Sequence, residues 1–215
     1  MYSHLILPTF ADDRRDESMA VIGRASERID AVSKLFAPTL PGVHNGGDAI
    51  WRMSFVDRAA RDAALAGDAW APAAALLADP SVTLHRETVG YETDRVGGSD
   101  ADCGLYRVAL FCANVRPDAE RLTAFADQTE SMSRYVRTIR RWQLSTPAET
   151  DGRRPWTTVW EQEYDDLQGL KGAYMLHPVH WAHVERWFDP EYPEWLVDRT
   201  IVHTFCETSA SVICR

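Results

Sequence analysis

Three histidines and a tyrosine lie within ten residues in the segment YMLHPVHWAH, residues 174–183. An imidazole titrates near neutral pH and can take a proton from carbon or oxygen, and a tyrosine hydroxyl can donate a hydrogen bond to a developing oxyanion. Successive members are three residues apart, so on a regular helix each is turned by about 60° from the last. They therefore spread over about half of the helix circumference and do not all face one pocket.

A proline divides this segment, and three interpretations of its histidines remain open. Pro178 suits the first turn of a helix, so we expect a helix break near His177, with His177 capping the helix or holding a backbone carbonyl. The three interpretations are that the histidines belong to an acid–base pair in a pocket, that they are ordinary helix residues, or that they are metal ligands. A His-X-X-His pair can bind zinc or iron, but a catalytic site needs three protein ligands, and His203 on the neighbouring predicted strand is the candidate third.

The composition argues against several classes of partner. The 215 residues carry a net charge of −9, whereas binding to nucleic acid or to an anionic membrane needs clustered cations. We therefore expect no nucleic acid and no membrane partner, and no apolar run reaches membrane-spanning length. The first residues carry no cationic leader, so a cytoplasmic location is expected. The four cysteines, at 103, 112, 206 and 214, form no Cys-X-X-Cys pair and indicate reduced, structural thiols.

Landmarks recur in the same order in the two halves of the chain. Four pairs of segments match: 3–7 with 106–110, 50–55 with 159–164, 76–80 with 186–190, and 83–85 with 201–203. The clearest pair reads aliphatic, Trp, three residues, aromatic, and places Trp51 and Trp160 as core or pocket-wall residues. We interpret the chain as two repeats, residues 1–96 and 104–215, joined by a linker at 97–103.

Hydrophobic spacing predicts the same series of elements in each half. In the first half these are a strand at 2–9, a helix at 16–36, a strand at 49–56, a helix at 58–78 and a strand at 82–91. In the second half they are a strand at 105–113, a helix at 117–141, a polar turn at 147–155, a strand at 156–164, a helix at 165–188 and a strand at 200–208. With a short strand before residue 49, the order is βαββαβ twice, which is the ferredoxin-like unit. The predicted fold is α+β: tandem ferredoxin-like repeats that form an intramolecular dimeric α/β barrel.

Two segments carry a family resemblance. The start of the chain, SHLILPTF, and the segment HPVHWAHVERWF followed by a last strand resemble the stress-responsive dimeric α/β-barrel (Dabb) family. Its pattern is a first strand that begins with His, a central strand that ends in Phe, and a helix that contains His-Pro-X-His. The resemblance covers nearly the whole chain as two fused units. It implies an apolar pocket between sheet and helices, usually without a cofactor.

The second half resembles the polyketide cyclases of this family, the olivetolic acid cyclase type. In those proteins a Tyr and the second His of Tyr-X-X-His-Pro-X-His act on a poly-β-keto chain, and the matching residues here are Tyr174 and His180. The pocket His of the first strand matches His4 in the first half, while Arg107 stands in its place in the second half. GDAWAP at 67–72 replaces the His-Pro-X-His segment in the first half. The resemblance therefore implies one working pocket, in the second half, and a degenerate one in the first.

The first hypothesis is a cofactor-independent enzyme of cyclase, lyase or isomerase type that acts on a small apolar or aromatic carbonyl compound, such as a polyketide. His180 is the candidate general base, with a rate limb at a pKa of about 6–7, and Tyr174 orients it or stabilises an enolate. The candidate substrate contacts are His4, Arg107, Trp160, His177 and His203. No cofactor and no metal site are predicted. The expected assembly is a monomer with an internal pseudo-dimer, with a homodimer as the alternative.

Two other functions remain open at this point. One is a non-catalytic stress-responsive protein that binds a small ligand, for which replacement of His180 changes affinity and no turnover exists. The other is a monooxygenase of the α+β barrel class, either free of cofactors or dependent on a metal or haem.

Overall fold

The computed structural model describes residues 1–99 and 102–213, and that part of the chain contains ten β-strands and four α-helices. The strands are β1 (Tyr2–Phe10), β2 (Ser33–Pro38), β3 (Ala49–Phe55), β4 (Thr83–Glu92), β5 (Arg95–Gly98), β6 (Leu105–Phe111), β7 (Arg141–Ser145), β8 (Pro147–Asp151), β9 (Thr158–Tyr164) and β10 (Val202–Glu207). The helices are α1 (Arg15–Arg28), α2 (Arg58–Leu65), α3 (Ala71–Ala78) and α4 (Ala119–Tyr135). Residues 169–187, here called the π-helical region, comprise two π-helical segments, Gly169–Tyr174 and Val179–Val184, and a 3-10 turn, Glu185–Trp187.

The strands form two five-stranded antiparallel sheets. The first sheet has the order β2-β3-β1-β4-β8 and the second has the order β10-β6-β9-β7-β5. When the exchanged strands β8 and β5 are set aside, each sheet places the first strand of its unit between the third and the fourth. Both halves therefore have the same βαββαβ topology, which confirms the predicted α+β fold with two ferredoxin-like units.

Each half contributes one edge strand to the sheet of the other. In β8 Asp151 pairs with Thr88 of β4, and in β5 Gly97 pairs with Trp142 of β7. The polar turn predicted at 147–155 is therefore wrong, because most of it is a strand. A short, largely exposed strand such as PAETD satisfies its backbone groups on a neighbouring edge, and no apolar alternation marks it in the sequence. The division of the chain at residues 97–103 stays a prediction.

Two predicted helices were too long. Helix α1 ends at Arg28, and the apolar residues Leu35 and Phe36, which fitted its period, belong to β2. Leu35 packs between the sheets and Phe36 packs on the helix side, so these neighbours alternate as strand residues do. In the same way α4 stops at Tyr135 and Arg141 begins a strand. The predicted break near His177 is confirmed.

The faces that the two sheets turn toward each other bury a common apolar layer drawn from both halves. Its members include Leu5, Leu7, Ile50, Val89, Val108, Leu110, Val159 and Val202. A buried salt bridge crosses this layer, with 2.5 Å between Arg52 Nε and Glu161 Oε1, and the Tyr106 hydroxyl donates to the same oxygen at 2.6 Å. The opposite face of each sheet is covered by its own helices and has its own core. Arg52 and Glu161 thus tie the first half to the second.

The structure bears on two expectations drawn from composition. Cys112 and Cys206 are buried free thiols, while Cys214 lies outside the described residues. Within residues 1–99 and 102–213, no helix combines the length and the apolar character that a bilayer-spanning segment requires.

Candidate active site

A cavity of about 290 Å³ lies on the helix side of the second sheet. Its floor comes from β6 and β10, its walls from α4 and the π-helical region, and one edge from the loop between β2 and β3. The residues around it are His44, Arg107, Phe111, Thr129, Met132, Tyr174, Met175, His180, Val184, Glu185, Phe188, Ile201 and His203. An engineered cavity of roughly 150 Å³ holds benzene, so a ligand of about two rings fits this space.

Tyr174 and His180 meet at the wall of this cavity. Their ring centroids are 4.7 Å apart with an edge-to-face angle of 62°. Tyr174 ends the first π-helical segment and His180 lies near the start of the second, so the wider π turns and the break at Pro178 bring the two rings together. Tyr174 is buried and His180 is half-buried. The predicted pair therefore exists as a contact, and its catalytic role stays a prediction.

His180 is held in its neutral form. Burial, followed by the positive charge of Arg107, lowers the pKa of His180 to about 4. Its Nδ1 atom is buried and has no hydrogen-bond partner in the described part of the chain. At neutral pH the imidazole at the cavity wall is therefore neutral and has one ring nitrogen without a partner among the described residues.

Arg107 is a buried cation on the cavity floor, with 4% of its surface exposed. It donates from Nη1 to Oε1 of Gln162 at 2.6 Å, and its guanidinium carbon lies 5.4 Å from the centre of the Tyr174 ring. No carboxylate among residues 1–99 and 102–213 forms a salt bridge with it. The guanidinium therefore lies beside the Tyr174–His180 pair without a counter-charge from these residues.

His203 and His44 complete one side of the cavity. The two residues exchange backbone hydrogen bonds of 2.8 and 2.9 Å, which fixes the loop of the first half against β10 of the second. Gly46 packs so closely on Thr204 that a Cβ would overlap the threonine side chain, so the loop needs glycine there. Burial, followed by the charges of Arg107 and His180, lowers the pKa of His203 to about 2.

Three of the predicted substrate contacts lie away from this cavity. Trp160 is buried behind it and packs on Trp142 at a centroid distance of 5.7 Å. His177 caps the second π-helical segment, because its Nδ1 accepts from the backbone N–H of Val179 at 3.2 Å. His4 lies on the helix side of the other sheet. Of the seven predicted site residues, the structure brings together Tyr174, His180, Arg107 and His203.

The equivalent space in the first half is filled by side chains. Trp70, which lies in the GDAWAP segment, packs on His4 at 6.3 Å and on Trp51 at 5.1 Å between ring centroids. Arg61 Nη1 lies 3.4 Å from Nδ1 of His4, and burial together with this cation lowers the pKa of His4 to about 4. Arg61 itself is paired with both carboxylate oxygens of Glu149 at 2.8 Å.

Sequence reasoning missed several residues of the site. His44 lies in a loop of the other repeat, and no local pattern connects it with β10. Gln162 and Tyr164 were noticed only as strand landmarks, yet they lie beside Arg107 on the same face of β9. Thr129 and Met132 belong to the buried stripe of α4, where the helical period places residues against the sheet without telling whether a cavity intervenes.

The residues of the cavity do not fit a resident metal ion or haem. His44, His180 and His203 all line it, but no three His, Cys, Asp or Glu side chains among the described residues are placed to hold a metal. The Arg107 guanidinium beside them opposes a second cation. A porphyrin, with four pyrrole rings, is also larger than a space suited to about two rings.

Residues 105–200 match the model of a protein family described as Stress responsive A/B Barrel Domain, or Dabb. The second half of the chain is therefore similar to this family. The match covers just under half of the 215 residues and confirms the family resemblance for the second half. The finer likeness to polyketide cyclases stays a prediction. No curated protein sequence matches the chain significantly.

Solved structures with this fold cover nearly the whole chain. An anthrone oxidase-like protein superposes with a TM-score of 0.68 at 9% identity, covering 96% of this chain and 90% of its own. A putative monooxygenase from Fusobacterium nucleatum subsp. nucleatum gives 0.66 at 10% identity, covering 100% and 97%. Chlorite dismutase from Candidatus Nitrospira defluvii in complex with imidazole gives 0.55 at 11% identity, covering 96% and 91%. At such identities the likeness shows the fold alone.

Proposed function

We propose that the cavity on the helix side of the second sheet binds a small aromatic or apolar carbonyl compound, and that His180 removes a proton from the carbon beside its carbonyl group. One observation carries this proposal: a neutral imidazole with an unpartnered ring nitrogen lies against Tyr174 in a cavity with largely apolar walls. In the step itself the C–H bond breaks, the proton goes to His180, and the electron pair moves onto the carbonyl oxygen as an enolate.

His180 is a weak base that stays unprotonated at physiological pH. A His180 pKa of about 4, instead of the expected 6–7, means that the imidazole is neutral throughout the physiological range. The rate constant kcat/KM of the free enzyme is therefore expected to be constant above about pH 5 and to fall as His180 is protonated below about pH 4. A weak base removes a carbon-bound proton only if the developing enolate is strongly stabilised.

Arg107 and Tyr174 are the groups that can stabilise this enolate. The guanidinium is already in place on the cavity floor, so its charge acts on the developing oxyanion without reorganisation of solvent. Its distance of 5.4 Å from the Tyr174 ring puts both groups on one side of the cavity, with His180 on the same ring. Proton removal and charge stabilisation thus come from different elements, the π-helical region and β6.

Several reactions begin with this step. Aldol-type cyclisation, elimination and isomerisation all start from the enolate, and the resemblance to polyketide cyclases supports the first of them. A cofactor-free oxygenation also starts from an electron-rich carbanion. The fold that this chain shares with an anthrone oxidase-like protein and putative monooxygenases makes oxygenation the second candidate.

Exchange of carbon-bound hydrogen tests the proposal without knowledge of the natural substrate. Aryl methyl ketones and aryl β-keto compounds are incubated with the protein in D2O, and loss of the α-proton signal is followed by NMR. We expect enzyme-dependent exchange that falls at least about 100-fold in His180→Phe, as for a lost general base, and less in Tyr174→Phe. His183→Phe is the matched control, because His183 is an exposed histidine of the same segment.

The outcomes separate the candidates. Compounds that bind without any exchange would support the non-catalytic ligand-binding protein. Exchange that His180→Phe leaves unchanged would refute His180 as the base. Oxygen consumption with an electron-rich aromatic compound, again dependent on His180, would favour oxygenation over cyclisation.

A further inference from the structure

Arg107 differs from two other buried arginines of the fold. Arg52 is paired with Glu161 at 2.5 Å, and Arg61 holds both carboxylate oxygens of Glu149 while lying on the ring of Tyr2. Arg107 is buried as deeply, but the described residues give it the neutral amide of Gln162 and the ring of Tyr174 and no carboxylate. A buried cation is costly without a charged partner, so the contrast points to a partner that is not part of the chain.

Three of the unsatisfied groups near Arg107 can donate a hydrogen bond. Nε of Arg107, Nε2 of Gln162 and the hydroxyl of Tyr164 are all buried, and no hydrogen-bond acceptor in residues 1–99 or 102–213 meets them. Arg107 and Gln162 are register partners on β6 and β9, and Tyr164 follows two residues later on the same face. Buried donors without acceptors are rare in folded proteins, and Arg107, which lines the cavity, fits a ligand with acceptor oxygens.

The walls of the cavity indicate that the rest of the ligand is apolar. Phe111, Met132, Val184 and Phe188 are apolar, and Glu185, the one carboxylate among the cavity residues, is itself exposed to solvent. A hydrophilic anion such as phosphate would leave these walls without contacts. An arene or short acyl chain that carries one acidic oxygen group satisfies both the walls and the floor.

We propose that the ligand of this cavity is an organic anion, an aromatic or short acyl compound whose carboxylate or ionised enol oxygens pair with Arg107. The acidic oxygens lie against Arg107, the member of this donor group that lines the cavity, and the apolar part lies against Phe111 and the π-helical region. This inference deepens the proposed function, since it names the substrate class for the same site. It makes Arg107 the anchor that orients a carboxylate-bearing carbon acid toward His180, and it leaves Tyr174 as the group that donates to the developing enolate oxygen.

Calorimetric binding to the full chain at pH 7.5 tests the inference. The probes are 4-acetylbenzoate, which is a carboxylate, its neutral isostere 4-acetylbenzamide, and 5-phenylcyclohexane-1,3-dione, whose enol is ionised at this pH. We expect at least one of the two anions to bind about 10- to 100-fold more tightly than the amide, as for a hydrogen bond to a charged group. The stronger of the two identifies the acidic group as carboxylate or enol.

Variants assign the effect to one residue. Arg107→Gln is expected to abolish the preference for the anion, and Arg107→Lys to keep part of it. Lys171→Gln is the matched control, because Lys171 is a second cation near His203 but donates to the carbonyl of Pro41 and does not line the cavity. Should Arg107→Gln fail to fold, the ratio between acid and amide in the wild-type protein still decides the question.

Binding and chemistry can fail separately. If neither anion binds more than about threefold more tightly than the amide, the anion site is overturned even if hydrogen exchange is observed. A strong, Arg107-dependent preference without any exchange would support the anion site and refute the proposed proton removal. His180→Phe should keep the preference for the anion, since the anchor is Arg107.

Discussion

Replacement of Arg107 should make His180 a stronger base. The guanidinium carbon is 5.4 Å from the Tyr174 ring centre, which in turn is 4.7 Å from the His180 ring centre, so charge and imidazole are at most about 10 Å apart. At that separation and an effective dielectric constant of about 20, one unit charge is worth about 1.7 kcal/mol. Arg107→Gln should therefore raise the proton affinity of His180 about tenfold or more.

Burial sets the limit of this effect. Because burial is the larger cause of the low His180 pKa, the variant should remain below the ordinary value for histidine. The assay is an NMR titration of protein labelled in its histidine rings, with the His180 signal assigned by comparison with His180→Phe. Lys171→Gln should leave the His180 signal unchanged. A wild-type His180 that titrates near pH 6.5, or a titration that Arg107→Gln leaves unaltered, would refute the electrostatic reasoning.

Three further predictions concern the frame around the site. Arg52→Met should lower the free energy of unfolding, measured by urea titration, by about 3–5 kcal/mol, because it leaves Glu161 buried without its partner. The control Arg140→Gln removes an exposed ion pair with Asp165 and should lower the free energy of unfolding by less than about 1 kcal/mol. Gly46→Ala should displace the loop from Thr204 and lower the free energy of unfolding by about 1–3 kcal/mol. Gly67→Ala should be tolerated, because the nearest atom to its new Cβ is 3.4 Å away. Equal melting temperatures for the two variants would contradict this prediction. His4, His180 and His203 have folded-state pKa values of about 4, 4 and 2, below the unfolded value near about 6.5, so unfolding takes up protons and stability should fall as pH drops from about 6.5 toward 4. Each histidine should contribute up to about 1.4 kcal/mol per pH unit to the pH dependence of the free energy of unfolding. If His4→Gln does not reduce this dependence, the predicted contribution of His4 is wrong.

Four of the strands could be predicted because their patterns are strong. The fully apolar or alternating runs at β1, β3, β6 and β9 fit one period and one face. The ends of α1 and α4 could not be predicted, because Leu35 and Ile139 fit the period of a helix as well as they fit a strand or a turn. Tertiary contacts with the opposite sheet and with the second core decided these positions.

Part of the candidate site could be predicted from the sequence for a chemical reason. Tyr174 and His180 stood out as reactive residue types at a short spacing beside a proline. Their contact depends on π-helical winding, which leaves no simple sequence period. His44 reaches the cavity through the packing of the two halves, and the lack of a counter-charge at Arg107 depends on which carboxylates fold elsewhere, as Glu149 does with Arg61. Such features appear only when distant segments are brought together.

A crystal structure of the protein soaked with 4-acetylbenzoate would show whether Arg107 binds the acidic group of a ligand in this cavity. We expect density between β6, β10 and the π-helical region, with carboxylate oxygens within hydrogen-bond distance of Arg107 and the acetyl group beside His180. Density instead in the open groove between Pro117 and Trp156, at the other end of α4, would contradict it. So would a ligand in the expected cavity whose carboxylate points away from Arg107 into solvent.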